Sequence, residues 1–137
     1  MGSLQRFLDA QAPVYDDVLA ELRAGRKQSH WMWFIFPQLR GLGHSAMAQR
    51  YGIAGRAEAL AYLQHPVLGA RLKECMALLL AHQDLSADDI LGDIDAMKLR
   101  SCATLFAAVA PQEPVFAQVL EQLYFGRRCH RTLALLG

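Results

Sequence analysis

The chain is 137 residues long, 53% apolar and 20% charged, with a formal net charge of +1. That balance excludes intrinsic disorder, which needs low hydrophobicity and high net charge, and the length suits one domain, residues 1–137, with a sizeable core. It also disfavours nucleic acid as a partner, because such proteins carry a marked basic excess.

Met1-Gly2 resembles a myristoylation start, but Arg6 stands where Ser or Thr is required. No signal-peptide core is present, and no apolar run approaches the ~20 residues of a membrane span. A cytoplasmic protein with no membrane partner is therefore expected. Ser3 is placed to cap a short first helix carrying Leu4, Phe7 and Leu8. Pro13 suits the first turn of a second helix, with Tyr15, Val18, Leu19 and Leu22 inward, Asp16, Asp17 and Glu21 outward, and Gly25 as its stop. The run from Trp31 to Pro37 has no period that separates helix from strand, although Ser29 is a candidate cap for two helical turns ending before Pro37. Short helices follow over Ser45–Tyr51 and Arg56–Leu63. A longer one, expected to be central, runs from Pro66 to about His82 with Leu68, Leu72, Cys75 and Leu79 on one face.

Ser86 to Asp89 reads as a helix start with Asp at the third position of a capping box. Asp93–Ala110 is a further helix ended by Pro111. Pro114 opens another, with Phe116, Val119, Leu120 and Leu123 inward and Gly126 as its stop, and His130–Leu136 closes the chain. The expected fold is all-α, an irregular array of eight or nine short to medium helices. Three cysteines, 75, 102 and 129, without a Cys-x-x-Cys, argue against a disulfide framework.

Two segments carry candidate chemistry. The first runs from Gly25 to Gln38, where Lys27, Ser29 and His30 lead into Trp31 and Trp33. If Ser29 starts a helix, its free N–H groups suit an anion, Lys27 and His30 add charge, and a Trp ring can stack on a planar group. The second is Asp95 to Thr104. Its apolar stripe is Leu99, Cys102, Phe106 and Val109, and helical geometry turns Asp95 into that stripe and Lys98 to its edge. Charged residues face a core only when paired or functional; these two, three apart, can pair. Ser101 and Thr104 continue around the polar side. No metal site is expected, since the five histidines form no i, i+4 pair, and no nucleotide or hydrolase fingerprint implies a cofactor. The basic cluster Arg127, Arg128 and Arg131 reads as solvated surface.

Ser29-His-Trp-Met-Trp-Phe-Ile-Phe-Pro-Gln38 resembles the family catalogued as domain of unknown function 1810. The resemblance extends through Gly41-Leu-Gly43-x-Ser45, Glu58 to Gly69, Asp95-x-x-Lys98-Leu-x-Ser101 with Thr104-Leu-Phe106, Phe125-Gly126 and Thr132-Leu133. It implies a mainly α-helical fold and brings no activity. It also implies polar or aromatic signatures at Lys27, Ser29, His30, Trp31, Trp33, Gln38, Lys98, Ser101 and Thr104. Cys102 and Cys129 depart from the Ser and Asp that the family implies there.

Two functions follow as expectations. The first is a site for a small anionic, partly planar ligand, a nucleotide or sugar phosphate, between Ser29–Gln38 and the Asp95–Thr104 helix. Were it catalytic, His30 or Asp95 would be the acid–base group and Lys98 the charge stabiliser. The alternative is an interaction or scaffold module with an exposed apolar groove, self-association being its simplest form.

Overall fold

Ten α-helices and no strand make up residues 3–137, the part of the chain that the computed structural model describes. The myristoylation reading of Met1-Gly2 lies outside these residues. In order the helices are α1 (Gln5–Gln11), α2 (Tyr15–Ala24), α3 (Met32–Ile35), α4 (Ala46–Tyr51), α5 (Arg56–Gln64), α6 (Leu68–Leu80), α7 (Ala87–Leu91), α8 (Asp93–Val109), α9 (Pro114–Tyr124) and α10 (His130–Leu136). No helix among them is long and apolar enough to cross a membrane.

Local chemistry explains most of the boundaries. Ser45 caps α4 by accepting from the Ala48 N–H, and Ser86 with Asp89 forms a reciprocal capping box on α7. Gly25 ends α2 in the left-handed region at φ 73°, where a side chain would also meet Leu85. His65 Nδ1 accepts from the Val67 and Leu68 N–H groups, so an imidazole satisfies the orphan donors that open α6. Gly69 is forced by packing: an added Cβ would lie 1.9 Å from the Leu63 carbonyl oxygen. Ser3 does not cap α1; Leu4 holds that position without a side-chain bond.

The core is continuous and links every large helix. The faces expected of α6 and α9 are buried: Leu68, Leu72, Cys75 and Leu79 on one, Phe116, Val119 and Leu120 on the other. The central position expected of α6 belongs instead to α8. Ten of its seventeen residues are buried, and it packs on α5, α7, α9 and α10. Aromatic edges knit the N-terminal half, with Phe7 set edge-on to Tyr62 at 5.0 Å and Phe34 tilted on Tyr51 at 5.4 Å. Buried Gln11 donates to the Phe34 carbonyl and the Tyr62 hydroxyl, which removes the cost of an unpaired amide there.

The unperiodic run from Trp31 to Pro37 is one helical turn followed by extended chain. Pro37 is buried, and beyond it Leu39 makes an isolated parallel bridge with Ile53. The expected two-turn helix from Ser29 does not form; Trp31 is the N-cap of a four-residue α3.

Candidate functional site

The two segments singled out in the sequence meet through one carboxylate. Lys27 N–H donates to the Ile90 carbonyl at 2.7 Å, which ties the loop after α2 to α7. Gly92 then separates α7 from α8 at φ 85° and puts Asp95 in the first turn of α8, where the helix dipole favours a negative charge. Asp95 Oδ2 pairs with Lys27 Nζ at 3.0 Å and Oδ1 with Lys98 Nζ at 3.3 Å. All three side chains are largely buried; Lys27 is 9% exposed. The Lys98 ammonium also lies 3.8 Å from the centre of the Trp33 ring, a close cation–π contact.

Beside this triad lies a cleft of about 420 Å³. One wall is Trp33, Gln38, Leu42 and Gly43; the other is the exposed side of α8 and the start of α10. α8 contributes Ile94, Met97, Lys98, Arg100 and Ser101, and α10 with its preceding residue contributes Cys129, His130 and Arg131. No carboxylate lines it among the described residues, whereas Lys98, Arg100 and Arg131 do. Arg100 Nε is buried and has no hydrogen-bond partner among the described residues. The Gln38 side-chain amide likewise makes no hydrogen bond among the described residues, and only its backbone carbonyl is used, accepting from Ile53. Thr104 holds the far wall in place: its Oγ1 accepts from the Cys129 N–H at 2.9 Å and docks α10 onto α8.

The structure therefore divides the sequence candidates. Trp33, Gln38, Lys98 and Ser101 line the cleft, and Asp95 sits behind Lys98. Thr104 is fully buried and spent on Cys129, so it cannot reach a ligand. His30 is exposed and outside the cleft lining. Lys27 is committed to Asp95, with its ammonium 5.0 Å from the Trp31 ring centre.

The anion site expected at Ser29 is already filled by the chain itself. Glu21, expected to face solvent, turns its carboxylate onto the loop. It accepts from the Gln28 N–H at 2.6 Å, the Ser29 N–H at 2.9 Å, the Ser29 hydroxyl at 2.6 Å and Trp31 Nε1 at 3.0 Å. Partial burial works to raise its pKa, but these four hydrogen bonds to the ionised form overcome that and hold the carboxyl at about 2. Trp31 is fully buried, so its indole is core and not a stacking platform.

Arg100, Cys129, His130 and Arg131 were not expected in the site. Arg131 belongs to a basic cluster that resembles ordinary surface, and only the docking of α10 brings it to the cleft. No sequence signal marked Arg100, since a position two residues from Lys98 and one from Ser101 turns away from both on a helical wheel. Among the described residues no three His, Cys, Asp or Glu side chains are grouped to hold a metal ion.

A helical domain with a cation-lined cleft beside a tryptophan is a class of architecture and specifies no reaction. The family described as "Protein of unknown function (DUF1810)" matches residues 1–136, and the chain belongs to it. Its fold is that of a solved structure, the conserved hypothetical protein Rv1873 from Mycobacterium tuberculosis. The two are 52% identical, with 98% of this chain and 96% of that one covered and a TM-score of 0.97. No curated protein matches the chain.

Proposed function

We propose that the protein binds a small anionic ligand with a planar part, such as a nucleotide or a sugar phosphate, in the cleft between Trp33–Gln38 and the α8–α10 junction. The observation that carries this reading is three cations and no carboxylate among the described residues that line one cleft. Clustered cations with no carboxylate between them favour an anion in that space. Lys98 neutralises charge, and Asp95, with both oxygens occupied by lysines, orients Lys98 instead of exchanging protons with a substrate. Trp33 and the Gln38 amide supply the planar and polar contacts. The setting is cytoplasmic, where nucleotides abound and thiols stay reduced, in keeping with three free cysteines.

The test is a thermal-shift panel of nucleotides, NAD, ADP-ribose and sugar phosphates. A ligand at a hundred times its Kd stabilises by ~2.7 kcal/mol, or roughly 6–12 °C for a domain this size. The shift is expected in wild type, lost in Lys98→Ala and roughly halved in Arg131→Ala. No shift with any anion would end the reading. The alternative, an interaction module, draws on Ile94 and Met97, 68% and 65% exposed on the cleft rim. It requires association in solution, and light scattering that finds a strict monomer would remove its simplest form.

A further inference from the structure

The three cysteines occupy contrasting surroundings. Cys75 and Cys102 are fully buried in the core. Burial pushes the Cys75 thiol up to about 12 and the Cys102 thiol well above its ordinary value. Cys129 lines the cleft. Its backbone is fixed by Thr104, and its Sγ lies 3.4 Å from Ser101 Oγ. Partial burial works against ionisation. The Ser101 hydroxyl, with Thr132 and the Arg100 charge behind it, outweighs it, and the thiol sits below its ordinary value.

Two hydroxyls around this sulfur are incompletely used. Thr132 is fully buried, and its Oγ1 has no hydrogen-bond partner among the described residues. The Ser101 hydroxyl has one proton to divide between the Met97 carbonyl at 3.2 Å and the sulfur. A neutral thiol offers these donors little, because sulfur is a weak acceptor. A thiolate accepts from both. The surroundings of Sγ thus favour an anionic sulfur, and Cys129, 9% exposed, lines the cleft together with Lys98, Arg100 and Arg131.

We propose that Cys129 is the nucleophile of the cleft and forms a mixed disulfide with a small anionic disulfide. This rests on the anion-binding reading of the same cleft. The Cys129 thiol gives its proton to solvent, and the thiolate attacks one sulfur of R–S–S–R. A Cys129 S–S bond forms while the original S–S bond breaks. Its electron pair leaves on R–S⁻, which takes a proton from water. The Cys129 sulfur is oxidised and the departing sulfur reduced, and a second thiol reverses the exchange by the same route. The three cations neutralise carboxylates on R; a neutral oxidant would make no use of them. The bound R group fills the cleft, so covalent modification and reversible ligand binding exclude each other.

The experiment treats the reduced full chain with glutathione disulfide (anionic), bis(2-hydroxyethyl) disulfide (neutral) and cystamine (cationic). Intact-mass time courses are followed by peptide mapping, with each rate divided by that reagent's rate on free N-acetylcysteine. One adduct per chain on Cys129 is expected, with a normalised rate at least about tenfold higher for glutathione disulfide than for cystamine. Arg131→Ala, an exposed change, narrows that ratio, and Cys129→Ser takes up no adduct. Absence of a Cys129 adduct, or a cationic reagent as fast as the anionic one, overturns the proposal. Thermal shift of Cys129→Ser with ADP separates the two ideas. Stabilisation there alongside an unreactive wild-type Cys129 leaves ligand binding standing and removes the nucleophile alone.

Discussion

Trp31 and Trp33 stand two residues apart, and the protein treats them in opposite ways. Trp31 is fully buried, and its indole N–H joins the Gln28 and Ser29 donors on the Glu21 carboxylate. Around Trp33 the indole is partly buried, Lys98 lies over its ring, and the neighbouring Gln38 amide and Arg100 Nε lack partners among the described residues. Both regions combine tryptophan, basic side chains and a serine. They differ in completeness: the first satisfies its own donors, and the second leaves donors free beside a cleft. A polar cluster that closes on itself stabilises the fold, whereas one left open is available to something outside the chain.

The largest effect that would break this comparison is at Trp31. Trp31→Ala empties a buried site and is expected to lower stability by about 4 kcal/mol in urea unfolding. Trp33→Ala, at a partly buried position, should cost about 2 kcal/mol while abolishing ligand-induced stabilisation. Equal losses at both positions would mean that the cleft, too, is only structure.

Glu21 comes next. Glu21→Ala strands its donors and should cost about 2 kcal/mol. Because the folded-state pKa is lowered, from 4.5 to about 2, this contribution is complete above roughly pH 5 and is lost as pH falls toward 2. Wild type should therefore lose its advantage over Glu21→Ala across that window. A constant gap from pH 7 to 2 would contradict the hydrogen-bonded carboxylate.

Asp95 joins the two regions, and Asp95→Ala leaves two lysines facing each other. A stability loss of about 1–2 kcal/mol is expected, reduced from the fully buried case by the partial exposure of all three groups. High salt should shrink it by screening the lysines. The smallest stability effect is at Arg131, where Arg131→Ala should stay within about 0.5 kcal/mol of wild type and still weaken an anionic ligand about tenfold. Calorimetric titration of a ligand found in the thermal-shift panel measures it directly; unchanged affinity would place Arg131 outside the site.

Much of the fold was legible because its signals are local. The Leu68, Leu72, Cys75 and Leu79 stripe, the Ser86–Asp89 box, Gly25 and Pro114 each act within a turn or two of chain. The misplacement of Asp95 and Lys98 on a helical wheel was legible for the same reason, and they do pair. Glu21 was misread because its partners lie beyond the end of its own helix, at Gln28 to Trp31. Thr104 and Ser29 looked like ligand groups because hydroxyls carry no mark of the distant partner that will consume them. The rank of α8 over α6 was hidden too, since both stripes are apolar and only packing on four neighbours buries the wider surface.

By itself the sequence determined the helical class, most helix ends and the inward faces, because period, caps and breakers operate over a few residues. The tertiary structure decided which polar groups remain free. That outcome turns on pairings between residues far apart in the chain: Lys27 with Asp95, Thr104 with Cys129, and α10 docked on α8 so that Arg131 meets Lys98 at one cleft. Such pairings follow from how helices pack in space, and no local pattern encodes them.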